Sequence, residues 1–461
     1  MRKGKHKAGP YFGVRLLPCK DPDTSGGVMI SFLLAFFAVY TSMHAVVVLR
    51  LRPLLPQTLP LKCLLGGFLL FMISAPIMTH LLDEAGYYFG ASALAWTGFT
   101  WMGFVFTAFS LGVFFYCLEG MCFIIQSFIS SPGRTLLSPR AKAWLLLGIT
   151  AGALGTGFLQ TQDIRINEIH IPSPELSPGK DNVTLVQISD LHLGLLAGKK
   201  RVQKISALLE DLEPDILVCT GDLLDSNPNG LAELLPLLRA FPATWGKFAV
   251  TGNHETYVDR DEAGDFLRRA GFVLLDGRIW RKDGIALAGV VYSRRQDCPG
   301  ERDIVNRFQA EDFNVLLKHS PEVCSESAEG FDLQLSGHTH KGQIFPFSLV
   351  TKIVYPYLAG MYSLDNGAAI YVNSGTGTWG PQMRLLTNQE ITVFRMAADQ
   401  HLHAMSNDRK RSPDRKRGPT PGPAHLQKST LLRSPQTDTF HIHPQDPGQK
   451  TQLSHTQGIC P

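Results

Sequence analysis

The sequence is short of charge, and the shortage is local. Charged residues make up 18% of its 461 residues, with 44 Lys and Arg against 40 Asp and Glu and a formal charge of +4. Between Val28 and Gln160 the only charged side chains are Arg50, Arg52, Lys62, Asp83, Glu84, Glu119, Arg134, Arg140 and Lys142. Past Gln160, charge returns at ordinary globular density. Paired cysteines are lacking too: the 8 cysteines are scattered and none stands in a C-x-x-C pair, so neither a zinc ribbon nor a disulfide framework is indicated. No cleavable leader is expected either, because the first apolar run begins late and lacks a short apolar stretch followed by small residues. That run is expected to remain as an anchor. With 44% apolar residues, a wholly disordered or fibrous chain is excluded.

What fills the charge-poor third is apolar sequence long enough to cross a bilayer. A hydrocarbon core roughly 30 Å thick needs about 20 apolar residues in a helix. Residues 28–49 and 63–82 meet that length, and 143–159 is shorter and Gly-rich. The stretch 87–128 is about twice a crossing, so it predicts either one overlong helix or a tight hairpin, giving four or five spans. A soluble helical bundle is disfavoured because no polar stripe recurs every three to four residues. The expected location is a membrane, as a multi-pass protein, with the compartment open. Five spans would put the C-terminal domain on the non-cytoplasmic side, where the sequon Asn182-Val183-Thr184 would matter; four would put it in the cytosol.

From Ala397 onward the chain is rich in Pro, Ser, Gln, His and basic residues, with little to bury, and is expected to be disordered. The expected organisation is a basic segment over 1–27, membrane helices over 28–160, and a linker with a first strand over 161–182. An α/β domain over 183–396 and a basic, Pro-rich tail over 397–461 follow. No nucleic-acid partner is expected.

The domain between alternates short β-branched runs with amphipathic helices, the pattern of an α/β fold. Five polar clusters follow or close its predicted strands: Asp190-Leu191-His192, Gly221-Asp222-Leu223-Leu224-Asp225, Gly252-Asn253-His254-Glu255, His319-Ser320-Pro321 and Gly337-His338-Thr339-His340. In open α/β sheets, ligands bind beyond the carboxyl ends of the strands. Carboxylate oxygens and imidazole nitrogens gathered there suit borderline divalent ions such as Zn, Fe or Mn. One Asp-x-His is weak evidence of a metal site. Five such clusters in order are strong.

These clusters resemble the calcineurin-like metallophosphoesterase family, whose D-x-H, G-D-x-x-D, G-N-H-[ED], H-x-P and G-H-x-H motifs occur here in sequence over about half the chain. The segments Gln187–Gly194 and Asn373–Gly380 are similar to the family's membrane-anchored branch. The resemblance implies a two-sheet sandwich flanked by helices, two divalent cations (Mn, Zn or Fe), and a phosphoester substrate. It assigns Asp190, His192 and His340 to one metal, Asn253, His319 and His338 to the other, and Asp222 as a bridge. It further implies that His254 protonates the leaving oxygen while Asp225 orients it, with a metal-activated hydroxide attacking phosphate mono- or diesters. A lipid-linked substrate is favoured by location alone. The alternative is a catalytically idle receptor or scaffold that keeps the fold.

Two features test the resemblance. Ser226 stands where phosphoprotein phosphatases similar to this family have an Arg, which makes protein phosphatase activity less expected unless Arg260, Arg294, Arg295 or Arg384 replaces it. Gly375-Thr376-Gly377-Thr378-Trp379-Gly380 satisfies G-x-G-x-x-G, but Pro381 follows, so a Gly turn at the rim is expected rather than a dinucleotide site.

Overall fold

A computed structural model describes residues 25–129, 137–176, 182–293 and 298–397. The N-terminal basic segment up to residue 24, the tail from residue 398, and Arg294 and Arg295 lie outside the described residues.

Four long helices come first: α1 (Ser25–Leu51), α2 (Leu59–Glu84), α3 (Tyr88–Ile129) and α4 (Pro139–Gln160). Each contains a stretch long and apolar enough to cross a membrane. The residues read as one helix or two form a single helix of 42 residues, about 63 Å at the α-helical rise. No Pro interrupts it and its glycines stand singly, so nothing in that stretch has the chemistry to turn the chain back. Among the described residues the candidate spans therefore number 4.

Several ionisable groups of this bundle are tied to one another. Glu119 on α3 receives Arg50 Nη1 from the end of α1 and Lys142 Nζ from the start of α4, both at 2.9 Å. Arg50 also donates to the Gly112 carbonyl at 3.2 Å, and its guanidinium lies 3.2 Å from the centre of the Tyr116 ring. Nearer the domain, Trp101 Nε1 donates to His44 Nε2 at 2.9 Å, and His44 Nδ1 donates to the Tyr40 carbonyl at 2.8 Å. These contacts hold three helices together, which is a packing role for the residues that a transport pathway would otherwise use.

Next come β1 (Ile164–Pro172), β2 (Asn182–Ile188), α5 (Lys199–Leu212), β3 (Ile216–Cys219), α6 (Leu235–Arg239), β4 (Gly246–Ala249), α7 (Asn253–Val258), α8 (Arg260–Arg269) and β5 (Phe272–Leu274). The second half contains β6 (Ile279–Lys282), β7 (Ile285–Gly289), α9 (Cys298–Val305), β8 (Phe313–Leu317), β9 (Leu333–Ser336), α10 (Phe347–Val354), β10 (Gly360–Ser363), β11 (Ala369–Val372) and β12 (Gln389–Ala397). They build two mixed six-stranded sheets, ordered β1-β12-β2-β3-β4-β5 and β10-β11-β9-β8-β7-β6. This is the expected two-sheet sandwich.

Both faces of each sheet are covered, which is why the strands read as near-continuous apolar runs. Val183 and Leu185 of β2 enter the core between the sheets with Ile216, Phe248, Leu287, Val315 and Phe394. Val186 and Ile188 turn the other way and pack under α5 and α8 with Val202, Ile205, Leu209 and Phe266. Cys298 and Cys324 form a disulfide with a sequence separation of 26, a pairing that scattered cysteines do not announce.

The domain sits against the helical bundle through the segment around Met383, through Phe347 and through Gly230, which lies beside Tyr88. Met383 is fully buried beside Gly103 of α3 and Gly157 of α4, where a Cβ would meet its side chain. Arg384 N donates to the Gly157 carbonyl at 3.0 Å, and the Phe347 and Phe106 rings meet edge-on at 6.1 Å.

Replacing Glu119 with Gln leaves Arg50 and Lys142 facing each other without their shared anion. The variant is expected to unfold at a lower temperature than the unaltered chain in detergent. Glu84→Gln, at a side chain 70% exposed, should leave the midpoint unchanged; equal midpoints for both variants would refute a structural role for the triad.

Candidate metal centre

The carboxyl ends of β2, β3, β4, β8 and β9 converge, and the loops leaving them carry the five polar clusters. Those loops are conformationally unusual. Asp190, His192, Asp222, His338 and His340 all have positive φ, between 48° and 72°. Non-glycine residues seldom adopt that region, and holding them there costs of order 1–3 kcal/mol each. Such strain persists only where surrounding bonds over-determine it.

The bonds are present. Glu255, fully buried, accepts the backbone N–H groups of Asp222 at 3.0 Å, Leu224 at 3.1 Å and Gly252 at 2.7 Å, so one carboxylate fastens two loops. Asp222 Oδ1 accepts the His254 N–H at 2.9 Å, and Asp190 Oδ1 accepts that of His338 at 3.0 Å. Gly252 has no room for a side chain, because a Cβ there would overlap the Asp222 carboxylate.

The side chains fall into groups whose ligand atoms lie within 4.8 Å of one another: Asp190, His192 and His340; Asp222, His319 and His338; and His192, Asp225 and His254. Within the first, His192 Nε2 is 2.9 Å from His340 Nε2, and His340 Nε2 is 3.4 Å from Asp190 Oδ1. Within the second, His319 Nε2 lies 3.1 Å from His338 Nδ1, 3.2 Å from Asp222 Oδ2 and 3.0 Å from Asn253 Oδ1. Asp222 Oδ2 is also 3.8 Å from His192 Nε2, which puts it between the two groups. In the third, Asp225 Oδ1 accepts from His254 Nδ1 at 2.7 Å and lies 3.4 Å from His192 Nδ1.

The donor set fits divalent cations. His319 Nδ1 donates to the Thr220 carbonyl at 2.8 Å, which fixes the ring with Nε2 facing Asp222 and Asn253. Burial draws His338 down to about 3, helped by the charge on His319, and takes His340 well below the ordinary histidine value. Both are thus neutral, with lone pairs free to coordinate. Burial pushes Asp190 up, whereas for Asp222 the nearby His319 and His254 outweigh burial and hold the carboxyl well below its usual range. Imidazole nitrogens pointing at one another across 2.9–3.1 Å, beside buried carboxylates, match what borderline divalent ions accept.

Two contributors escape a reading of motifs. Tyr355 Oη is 2.8 Å from His338 Nε2 and so orients that ring from behind. Arg384 is fully buried and does not face the opening as a phosphate clamp. Its guanidinium donates to the carbonyls of Gly377 at 2.7 Å, Asn388 at 2.9 Å, Gly375 at 3.2 Å and His340 at 3.3 Å. Arg260 is likewise engaged elsewhere, donating to the Tyr292 carbonyl. The Gly-rich segment is a turn, as expected, but buried rather than at the rim: a Cβ on Gly377 would strike the Asp190 and Leu191 carbonyls, and Gly375 has φ 87°.

Residues 183–342 match the calcineurin-like phosphoesterase family. An uncharacterized metallophosphoesterase of Aquifex aeolicus is 34% identical over 247 residues, which are 51% of this chain and 92% of that protein. The chain belongs to the calcineurin-like phosphoesterase family. It is also similar to the zebrafish (Danio rerio) "Transmembrane protein with metallophosphoesterase domain", at 30% identity over 266 residues, 54% of this chain and 61% of that one. An uncharacterized metallophosphoesterase of Campylobacter jejuni is 31% identical over 244 residues, 52% of this chain and 64% of that one. The chain thus spans less than two thirds of these last two relatives.

Because Arg384 ties the His340 loop to the Gly375–Gly377 turn, Arg384→Met orphans four carbonyls around that ligand. Mn or Zn affinity, read by chelator competition, is expected to fall about 10–100-fold in a protein that remains folded by circular dichroism. Unchanged affinity would show that Arg384 does not position the site.

Proposed function

We propose that the protein is a membrane-anchored, dinuclear metal-dependent phosphoesterase that hydrolyses phosphate mono- or diesters, with residues 183–396 as its catalytic unit. The observation that carries this reading is the position of Asp222, whose Oδ2 faces His192 of one donor group and His319 of the other. Two cations held about 3.5–4 Å apart require such a shared anion. On this reading Asp190, His192 and His340 hold one cation, and Asn253, His319 and His338 the other. When bound, the pair supplies charge neutralisation for the phosphoryl oxygens and a hydroxide from water near neutral pH.

The remaining work falls to side chains at the opening. His254 follows Asn253 in the first turn of α7, its ring lies 4.6 Å from that of His192, and its Nε2 is 4.0 Å from Asp222 Oδ2. Burial pulls His254 down, but the charges of Asp222 and Asp225 and the hydrogen bond to Asp225 outweigh it and hold the ring up to about 9. The hydrogen bond from Nδ1 to Asp225 favours the form of the ring that also carries a proton on Nε2. As the ester P–O bond breaks and water's oxygen joins phosphorus, His254 Nε2 passes that proton to the leaving oxygen. Asp225, held down to about 2 because its bonds to His192 and His254 outweigh burial, fixes the ring from the Nδ1 side. The four candidate spans favour lipid-linked over soluble phosphoesters.

The test is hydrolysis of an aryl and an alkyl phosphodiester, and of a monoester, by the full chain with Mn or Zn. Asp222→Asn is expected to abolish turnover. His254→Ala should lower kcat by about 10²–10⁴-fold on the alkyl ester and much less on the aryl ester, whose leaving group needs no proton. Absence of turnover in folded, metal-loaded protein would sink the hydrolase reading in favour of a binding role.

A further inference from the structure

Helix α10 is built inside out for a soluble domain. In Phe-Ser-Leu-Val-Thr-Lys-Ile-Val, only Thr351 is buried, while Leu349, Val350, Ile353 and Val354 are 58%, 51%, 83% and 63% exposed. Single exposed apolar residues are ordinary, but a contiguous set marks a surface that meets another apolar phase. The patch extends beyond the helix. Phe345, 41% exposed, and Leu386, 68% exposed, sit on two loops joined by the hydrogen bond from Phe345 N to the Leu385 carbonyl at 3.1 Å.

The patch runs into the membrane bundle. Phe347, at the first turn of α10, touches Phe106, which lies within the candidate span of α3. The loop that bears Leu386 is the one whose Met383 and Arg384 pack on α3 and α4. Exposed Lys341 and Lys352 flank the apolar face, the charge that anionic headgroups attract.

The same helix is a wall of the metal centre. Ser348 packs on Gly342, two residues past His340, and Tyr355, just beyond the C-terminus of α10, reaches His338.

We infer that α10 and the Phe345 and Leu386 loops seat in the headgroup and acyl boundary of the same bilayer that α1 to α4 cross, holding the metal centre at headgroup depth, open to lipid phosphoesters. The seating stands on exposure and on continuity with the spans. The substrate class rests in addition on the hydrolase reading above.

The test uses the full chain in nanodiscs of phosphatidylcholine and phosphatidylserine. A nitrobenzoxadiazole probe is placed at Ile353→Cys, or at Asp265→Cys as a solvent reference, in a background whose other unpaired cysteines are serines. The probe at 353 should be blue-shifted and quenched by doxyl-labelled lipid, and the probe at 265 should not. Equal water exposure at the two positions would overturn the proposal. So would a shielded probe at 353 that doxyl lipid fails to quench, because a second copy or another protein would then cover α10.

In the second arm, Ile353→Asp with Val354→Asp should lower kcat/KM on a phosphodiester lipid in the nanodisc by about tenfold or more, because two charges would then have to enter the apolar boundary. Hydrolysis of a soluble aryl diester should be unchanged. Equal rates on the lipid with and without the two substitutions would overturn the substrate class. Failure of the unaltered chain to hydrolyse either ester would sink the hydrolase reading, and with it the substrate class, leaving the quenching result to decide the seating alone.

Discussion

Asp222 is a carboxylate 2% exposed to solvent, at the carboxyl end of a central strand, and its charge must be answered from within the protein. The answer comes from every direction. His254 N–H donates to one oxygen, while the rings of His192, His254 and His319 gather around the other. Its own backbone is pinned by Glu255, which also pins Gly252 at the start of the next loop. Moving this one carboxylate would disturb both donor groups and the histidine at the opening. The absence of a Cβ at Gly252 is the steric counterpart of the same requirement.

The sandwich supplies what this arrangement needs, which is a rigid base for strained loops. Strands β2, β3 and β4 are parallel neighbours, so Asp190, Asp222 and Asn253 leave the sheet side by side although more than 60 residues separate the first from the last. Strands β8 and β9 do the same for His319 and His338 in the second sheet. With both faces of each sheet buried, the strand ends cannot drift, and the left-handed backbone at five of the site residues is held by packing and hydrogen bonds rather than by local preference.

Much of this was legible because it depends on short-range pattern. Apolar runs such as Val183 to Ile188 mark buried strands, and the polar residue that ends each run is the one delivered to the sheet edge. Asp190-x-His192 and His338-x-His340 put two candidate donors of one loop close together, a spacing visible in sequence. What stayed hidden depends on long-range contact. Arg384 looked available to a phosphate, yet its role follows from four carbonyls on three separate segments. Tyr355 carries no motif, and the outward-facing apolar side of α10 is a matter of packing that no local pattern states. The long α3 left helix and hairpin equally open, because apolar length alone does not place a turn.

Arg384 links the two halves of the molecule in a way neither half explains alone. Its backbone N–H bonds to Gly157 near the end of α4, and its side chain grips the loop of His340 and the Gly375–Gly377 turn behind Asp190. Met383 beside it fills the space between α3 and α4 that Gly103 and Gly157 leave open. A buried guanidinium with carbonyl partners on several segments has little freedom to rearrange, so a tilt of α4 against the domain must strain the His340 loop. The four long helices are therefore more than an appendage to the domain. Their packing and the geometry of the donor groups share a residue, so the contact that seats the domain on α4 is also the one that holds the His340 loop.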